Sequence, residues 1–382
     1  MAFKRFHFLR SRKDATSESA ADPAAAADEL GVSRSWLVAR SDVTLGRKIG
    51  SGTFGAVYAC NVEGSEETLV AKLVDVKAMR AEDADLFRLE VKIWSDLDHP
   101  SCVKFKGVCL SSDRCVLLSS LCAGGSLASR HVACLHKNAA PVGTGTFVQM
   151  ALAVASAMSY LHGRQIMHRD LKSQNVLIGE LGELQVADFG LAQFAPREKA
   201  LLTAETGSYR WMAPEVLRHE PYDEKCDVYS FAMLCWEMLT YRVPFEQHQP
   251  VQAAFAMAIE NKRPDIPASC HPDVKQLLER SWREQSEARP SFAQVCDELQ
   301  SLQNALRSRG AAADGGASSP SAADCAESGS SGAPTLSAQA NREGSSHAGN
   351  GSKRRSRPSD PPAGHMKRPK SYNTQLSELR MG

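Results

Sequence analysis

Residues 166–190, IMHRDLKSQNVLIGELGELQVADFG, constrain this chain more than any other stretch. Two acids, Asp170 and Asp188, each follow apolar residues, with the cation Lys172 and the amide Asn175 between them. Ile166 and Met167, then Val176, Leu177 and Ile178, then Leu184 and Val186 supply the apolar pieces. This pattern predicts a short loop feeding a β-hairpin, with Gly179 and Gly182 in the turn region. Such a hairpin presents Asp170, Asn175 and Asp188 from one edge. The cluster suits magnesium-dependent phosphoryl transfer. Mg²⁺ takes hard oxygen ligands and keeps several waters, so one or two carboxylates and an amide oxygen suffice. A second carboxylate can orient a hydroxyl nucleophile, and a nearby lysine can offset charge on the transferred group. Either acid alone reads as a solvated turn residue; HRDLKSQN followed by ADFG at this spacing argues against that.

These two motifs resemble the catalytic and magnesium loops of the protein kinases. The resemblance implies Asp170 as catalytic base, Lys172 on the γ-phosphate of ATP, and Asn175 and Asp188 on Mg²⁺. It extends over residues 43–303 and implies an α+β, two-lobed fold. A small β-rich lobe with one helix (43–122) and a larger helical lobe (123–303) then enclose ATP in a cleft.

Bulk properties agree. Forty-five Lys and Arg against 44 acids give a net charge of +1, and no reason to expect a nucleic acid or membrane surface as main partner. Eleven cysteines, an odd number without a CxxC pair, fit buried thiols in a reducing, cytoplasmic compartment better than a disulfide frame or zinc site. No apolar run reaches the roughly 18 residues of a membrane span. The apolar stretches around 148–161 and 228–240 read as buried core helices.

Residues 1–35 are expected to be a disordered arm, basic and aromatic at first and then alanine-rich, with order beginning near Trp36. A transit peptide or membrane-touching arm is the competing reading of its start. GSGTFGAVYAC then carries Gly50, Gly52 and Gly55, where glycine lets backbone approach a phosphate chain. Alone this motif is weak. Its continuation as a strand rather than a helix favours the kinase form over a dinucleotide turn. The resemblance places Ile49, Gly50, Ser51, Gly52, Gly55 and Val57 on the nucleotide.

In TLVAKLVDV, Lys72 lies among strand-forming residues, where an unpaired charge is costly. It falls seventeen residues after Gly55, as in the family, which implies a pairing with the α- and β-phosphates and a helix glutamate. Where the family has alanine, this chain has Val70, predicted to roof the adenine more tightly. DADLFRLEVKIWSDLDHP reads as an amphipathic helix with Leu86, Leu89, Ile93 and Leu97 near one face. Glu90 is the expected partner of Lys72, ahead of Glu82 at the more polar start. Aligned on CAGGSL, Ser119 is the gatekeeper and Ser120 to Cys122 form the hinge.

After ADFG, residues up to Trp211 have loop character, and long loops in compact domains are usually functional. The resemblance makes this the activation segment, ended by Ala213-Pro214-Glu215. Thr203 and Thr206 are candidate switch phosphosites, for an upstream kinase or trans-autophosphorylation, with Arg169 as a charge-assisted partner. Ser208 is phosphorylatable, but is expected instead to bond Asp170 and Lys172. Asp227 matches the aspartate that anchors the catalytic loop, and Arg289 the arginine that pairs with Glu215.

HRDLKSQN, GSYRWMAPE, DVYSFAMLCWEML and ARPSF are similar to the tyrosine-kinase-like group, which includes Raf-like and mixed-lineage enzymes. Lys172 points to serine/threonine acceptors in a protein substrate, with dual specificity open. A pseudokinase scaffold is the alternative class, but it predicts loss of Lys72, Asp170 or Asp188. From 309 to 382 the Ala, Gly, Ser and Pro content predicts disorder. KRRSR at 353–357 and KRPK at 367–370 look like a bipartite nuclear signal; a solvated basic tail is the other reading.

Overall fold

Strand-forming residues build an antiparallel sheet of five strands. These are β1 (Val43–Gly52), β2 (Gly55–Val62), β3 (Leu69–Asp75), β4 (Phe105–Leu110) and β5 (Arg114–Ser120), in the order β1-β2-β3-β5-β4. The computed structural model describes residues 27–28, 30–52, 55–76, 79, 81–110, 114–195 and 208–314. Residues 1–26, Thr203, Thr206 and both basic clusters lie outside the described residues. On β3, Leu69 and Ala71 are buried on one face with Cys60, Cys109, Val116 and Leu118. Alternation therefore sends Val70 and Lys72 to the opposite face. Gly55 has a packing role besides any phosphate role: a Cβ there would lie 1.7 Å from the Leu73 carbonyl oxygen.

Helix α1 (Ala81–Ser95) buries Phe87, Glu90, Val91, Ile93 and Trp94. Leu86, expected on that face, is instead 51% exposed. The inward stripe runs through 87, 90, 91 and 94, the i, i+3, i+4, i+7 spacing of one helix face, and Leu86 falls one position off it.

Two expected boundaries shift. The N-terminal arm is ordered before Trp36, because Ala27, Leu30 and Val32 are buried in the main core. Composition hid this: three core residues are easily lost among alanines. The Val38 N–H then donates to the Val108 carbonyl at 3.0 Å, which gives edge strand β4 a partner. Gly107 permits this approach, since a Cβ there would lie 2.8 Å from the Val38 side chain and 3.0 Å from the Trp36 carbonyl oxygen. At the other end the last helix persists past 309.

The second lobe contains α2 (Leu127–His136), α3 (Thr144–Gly163), α4 (Pro214–Leu217), α5 (Lys225–Thr240), α6 (Pro250–Ala258), α7 (Pro272–Ser281) and α8 (Phe292–Asp314). Thirteen of the sixteen residues of α5 are buried, which makes it the axis on which the lobe is built. Among the described residues only α3 is long and apolar enough to cross a membrane. Its Val148, Ala151, Ala155, Met158 and Leu161 are fully or almost fully buried in the core. The expected hairpin forms from β7 (Val176–Ile178) and β8 (Leu184–Val186), with Val176 opposite Val186. Strand β6 (Ile166–Met167) pairs with β9 (Gln193–Phe194). All ten cysteines among the described residues are free thiols.

Candidate active site

The loop between β6 and β7 is gripped from below by Asp227, at the start of α5. Its carboxylate accepts from the backbone N–H groups of His168 and Arg169, each at 2.8 Å, and lies 2.9 Å from His162 Nε2. Burial would raise this carboxyl, but His162, His168 and the Arg169 amide hold it below its ordinary value. Those bonds also steady Arg169 in the left-handed region, at φ 67°.

Asp170 follows at once. Its Oδ2 accepts from Lys172 Nζ at 2.7 Å and Asn175 Nδ2 at 2.8 Å. Its Oδ1 is buried and has no hydrogen-bond partner among the described residues. A buried carboxylate oxygen left open this way is an acceptor waiting for a donor. Asn175 also donates to the Asp170 carbonyl at 2.8 Å. With both amide hydrogens so used, its Oδ1 is the atom left to face a cation.

From the sheet, Lys72 Nζ reaches Glu90 Oε1 at 2.9 Å and lies 4.0 Å from Asp188 Oδ1. Burial alone would lower the Lys72 pKa, but these two carboxylates hold it above its ordinary value, so the lysine stays charged. An aromatic column fixes the helix that carries Glu90. Trp36 packs on Phe105 (5.3 Å between centroids), Phe105 on Trp94 (5.3 Å), Trp94 on Phe189 (6.2 Å), and Phe189 on His168 (5.5 Å). The column ties the N-terminal segment, α1 and the residues beside Asp188 and Asp170 together.

No cluster of three or more His, Cys, Asp or Glu residues that could hold a metal occurs among the described residues. Asp188 and the Asn175 amide offer two hard oxygens. That set fits a Mg²⁺ ion whose other ligands are phosphate oxygens and water.

Val57, Val70 and Ser119 share the face of the sheet that carries Lys72, whereas Ser120 pairs with Leu69 on the other face and Cys122 lies beyond the end of β5. Val57 pairs with Lys72, and Val70 with Ala59 and Ser119. Ser119 is buried and Ser120 half-buried, and the Cys122 thiol lies 3.6 Å from Gln185 Oε1. Ile49, on β1, is 41% exposed. Gly50, Ser51 and Gly52 pair with Val57, Ala56 and Gly55.

Residues 43–299 match the family described as protein tyrosine and serine/threonine kinase. This chain belongs to that kinase family. Serine/threonine-protein kinase STY46 of Arabidopsis thaliana is 37% identical over 272 residues, 70% of this chain and 45% of that protein. Serine/threonine/tyrosine-protein kinase HT1 of the same plant is 32% identical over 276 residues, 71% of this chain and 69% of that one. Serine/threonine-protein kinase TNNI3K of Mus musculus is 36% identical over 271 residues, 68% and 31% of the two chains. The chain thus spans less than half of STY46 and about a third of TNNI3K.

Ser119, the expected gatekeeper of this kinase, is short and buried opposite Val70. ATP carrying a bulky adenine substituent should bind the wild type about tenfold or more better than Ser119→Met, because overpacking costs about 1–3 kcal/mol. Equal binding in a displacement assay would place Ser119 away from the adenine.

Ser208 is buried and takes a hydrogen bond from Lys172 Nζ at 2.6 Å. It reaches Asp170 through that lysine, and no direct bond between the two side chains is observed. Arg169 donates to Gln193 Oε1 at 2.6 Å. Glu215 and Arg289 form two parallel bonds, of 2.6 and 2.8 Å.

Sequence reasoning missed Glu237 on α5. It is 1% exposed and accepts from Ser173, inside the catalytic loop, and from the Trp211 indole. The available signal was an acid inside the otherwise apolar run CWEML.

Proposed function

We propose that the chain is a serine/threonine protein kinase that passes the γ-phosphoryl of Mg-ATP to protein hydroxyls. The observation that carries this reading is the open Oδ1 of Asp170 beside Lys172. A hydroxyl placed there donates to Oδ1 and attacks with Lys172 at the transferred group. Lys72, held by Glu90, serves the α- and β-phosphates. Asn175 and Asp188 would hold Mg²⁺, which would supply charge neutralisation of the triphosphate. The rest of the work is positioning and fixed electrostatics. The nucleotide is held by Ile49, Gly50, Ser51, Gly52, Gly55, Val57 and Val70 above, with Ser119, Ser120 and Cys122 at the back and hinge.

Acceptor type follows from Lys172 in HRDLKSQN and from the serine/threonine names of STY46 and TNNI3K. HT1, whose name adds tyrosine, favours dual specificity as the second reading. Phosphopeptide mapping of the purified chain after incubation with Mg-ATP separates them. The first reading expects phosphoserine and phosphothreonine, absent from an Asp170→Asn preparation; phosphotyrosine in the wild type alone supports the second. No phosphate in either preparation, with or without added acceptor, would leave a scaffold. The same map reads Thr203 and Thr206, the proposed regulatory sites, modified by an upstream kinase or in trans.

The proposed location is the cytoplasm, with nuclear entry through 353–357 and 367–370. Deleting 353–370 should abolish nuclear accumulation of a fluorescently tagged chain. Unchanged distribution of the tag would remove this role.

A further inference from the structure

Arg210 is the middle residue of the 3-10 turn Tyr209–Trp211, two places after Ser208. Its Nη2 donates to the His248 carbonyl at 2.5 Å, its one side-chain hydrogen bond among the described residues. Its Nε is buried without a partner there, and no carboxylate among the described residues pairs with it. Other covered arginines of this lobe do meet an acid. Arg218 and Arg263 reach Glu284 at 2.6 and 3.3 Å, and Arg289 reaches Glu215 at 2.6 Å. A guanidinium always carries its charge and has five N–H donors. Leaving one of them buried without an acceptor is costly. Arg210 is thus a cation prepared for an anion that none of the described residues supplies.

Its place is on the acceptor side of the site. Lys172 Nζ bonds Asp170 Oδ2 at 2.7 Å and Ser208 Oγ at 2.6 Å, so the 208–213 segment starts beside the proposed base. An extended chain covers roughly 7 Å in two residues. A peptide whose hydroxyl meets Asp170 Oδ1 therefore lays its flanking residues within reach of the Arg210 side chain. The surrounding segments add little competing acid. The 208–213 segment has none, and HRDLKSQN has Asp170 alone. In residues 241–249, YRVPFEQHQ, the single acid Glu246 faces Arg242 at 3.6 Å.

From this arrangement we propose that Arg210 is a specificity-determining residue, which selects protein acceptors with an anionic side chain, carboxylate or phosphate, within about three residues of the hydroxyl. The inference rests on the phosphotransfer reading and deepens it by naming the acceptor chemistry. The planar fork of a guanidinium takes either anion through two parallel bonds. The His248 carbonyl already holds one end of it, so less side-chain freedom is lost on docking. A lysine at the same place in an acceptor meets a like charge, which rejects it.

The test uses synthetic peptides with one free serine, identical except at a single flanking position that carries Ala, Glu, phosphoserine or Lys. Each is assayed with the full chain and Mg-ATP. The readout is the ratio of kcat/KM between two peptides on one preparation, which loss of folded protein does not change. At the best position the wild type should favour Glu or phosphoserine over Ala by about 10- to 100-fold, the worth of hydrogen bonding between charged groups, and should disfavour Lys. Arg210→Gln should bring the Glu and Ala peptides level, and Arg210→Glu should favour Lys over Glu. Arg210→Lys keeps the charge without the fork, so it should hold the wild-type order with a smaller ratio. A wild type that treats Glu, phosphoserine and Ala alike at every position overturns the inference, as does a preference that survives undiminished in Arg210→Gln. If Arg210→Gln yields no folded protein, Arg210→Lys decides, and an undiminished ratio there overturns it too. A wild-type chain that hydrolyses ATP but labels no peptide overturns the acceptor rule alone. One that neither hydrolyses ATP nor labels any peptide overturns phosphotransfer itself, and the inference with it.

Discussion

Asp170→Asn is expected to reduce phosphoryl transfer to trace levels while leaving the fold intact. The two oxygens of Asp170 have separate duties. Oδ2 is held by Lys172 at 2.7 Å and Asn175 at 2.8 Å, whereas Oδ1 is buried and open. An asparagine placed with its carbonyl at the Oδ2 position keeps both bonds. Its NH₂ then occupies the Oδ1 position, where it donates and cannot take a proton. The acceptor hydroxyl loses its base and meets a repelling donor. General-base catalysis alone is worth roughly 10²–10⁴ in rate, and loss of the negative charge beside Lys172 adds to the deficit. Transfer of labelled γ-phosphate to casein, with a thermal melt on the same preparation, checks both halves. Wild-type transfer by the variant would remove Asp170 from the chemistry, and a collapsed melt would make its role structural.

The reach of sequence reasoning has a physical pattern. Asp170, Lys172, Asn175 and Asp188 were legible because one short segment carries all four, at spacings fixed by a loop and a hairpin. Lys72 and Glu90 were legible for another reason: Lys72 stands at the family's spacing after Gly55, which implies a helix glutamate as partner, and Glu90 sits on a less polar part of that helix than Glu82. What was not legible depends on contacts between distant segments. Trp211 and Glu237 are 26 residues apart, and Ser173 and Glu237 64 apart; an acid in an apolar helix does not announce which donors will meet it. Leu86 and Phe87 are both apolar neighbours on one helix. Only the packing of α1 on the sheet decides that Phe87 goes inside. Ala27, Leu30 and Val32 were hidden in the same way, since burial depends on a surface the rest of the chain supplies.

Arg289→Ala should destabilise the larger lobe by about 3–5 kcal/mol, the cost of leaving one member of a buried ion pair alone. Arg289 has a fully buried side chain and answers every one of its donors. Its Nη1 and Nη2 meet Glu215 at 2.6 and 2.8 Å, its Nε donates to the Arg283 carbonyl at 2.8 Å, and its remaining hydrogens reach the carbonyls of Lys225 and Glu284 at 3.1 and 3.2 Å. Alanine takes all five away and leaves the Glu215 carboxylate buried without its cation. The guanidinium also packs over the Tyr229 ring, 5.3 Å from its centroid. At about 2–4 °C per kcal/mol for a domain of this size, the melting temperature should fall by roughly 6–20 °C. Arg289→Lys tests the geometry: it restores the charge but not the fork, so it should recover only part of the loss. Because Glu215 lies at the start of α4, directly after the 208–213 segment, catalysis should fail at a lower temperature than melting of the sheet-rich lobe. An Arg289→Ala chain that melts and transfers phosphate like wild type would mean that α4 is held in place by its apolar contacts alone.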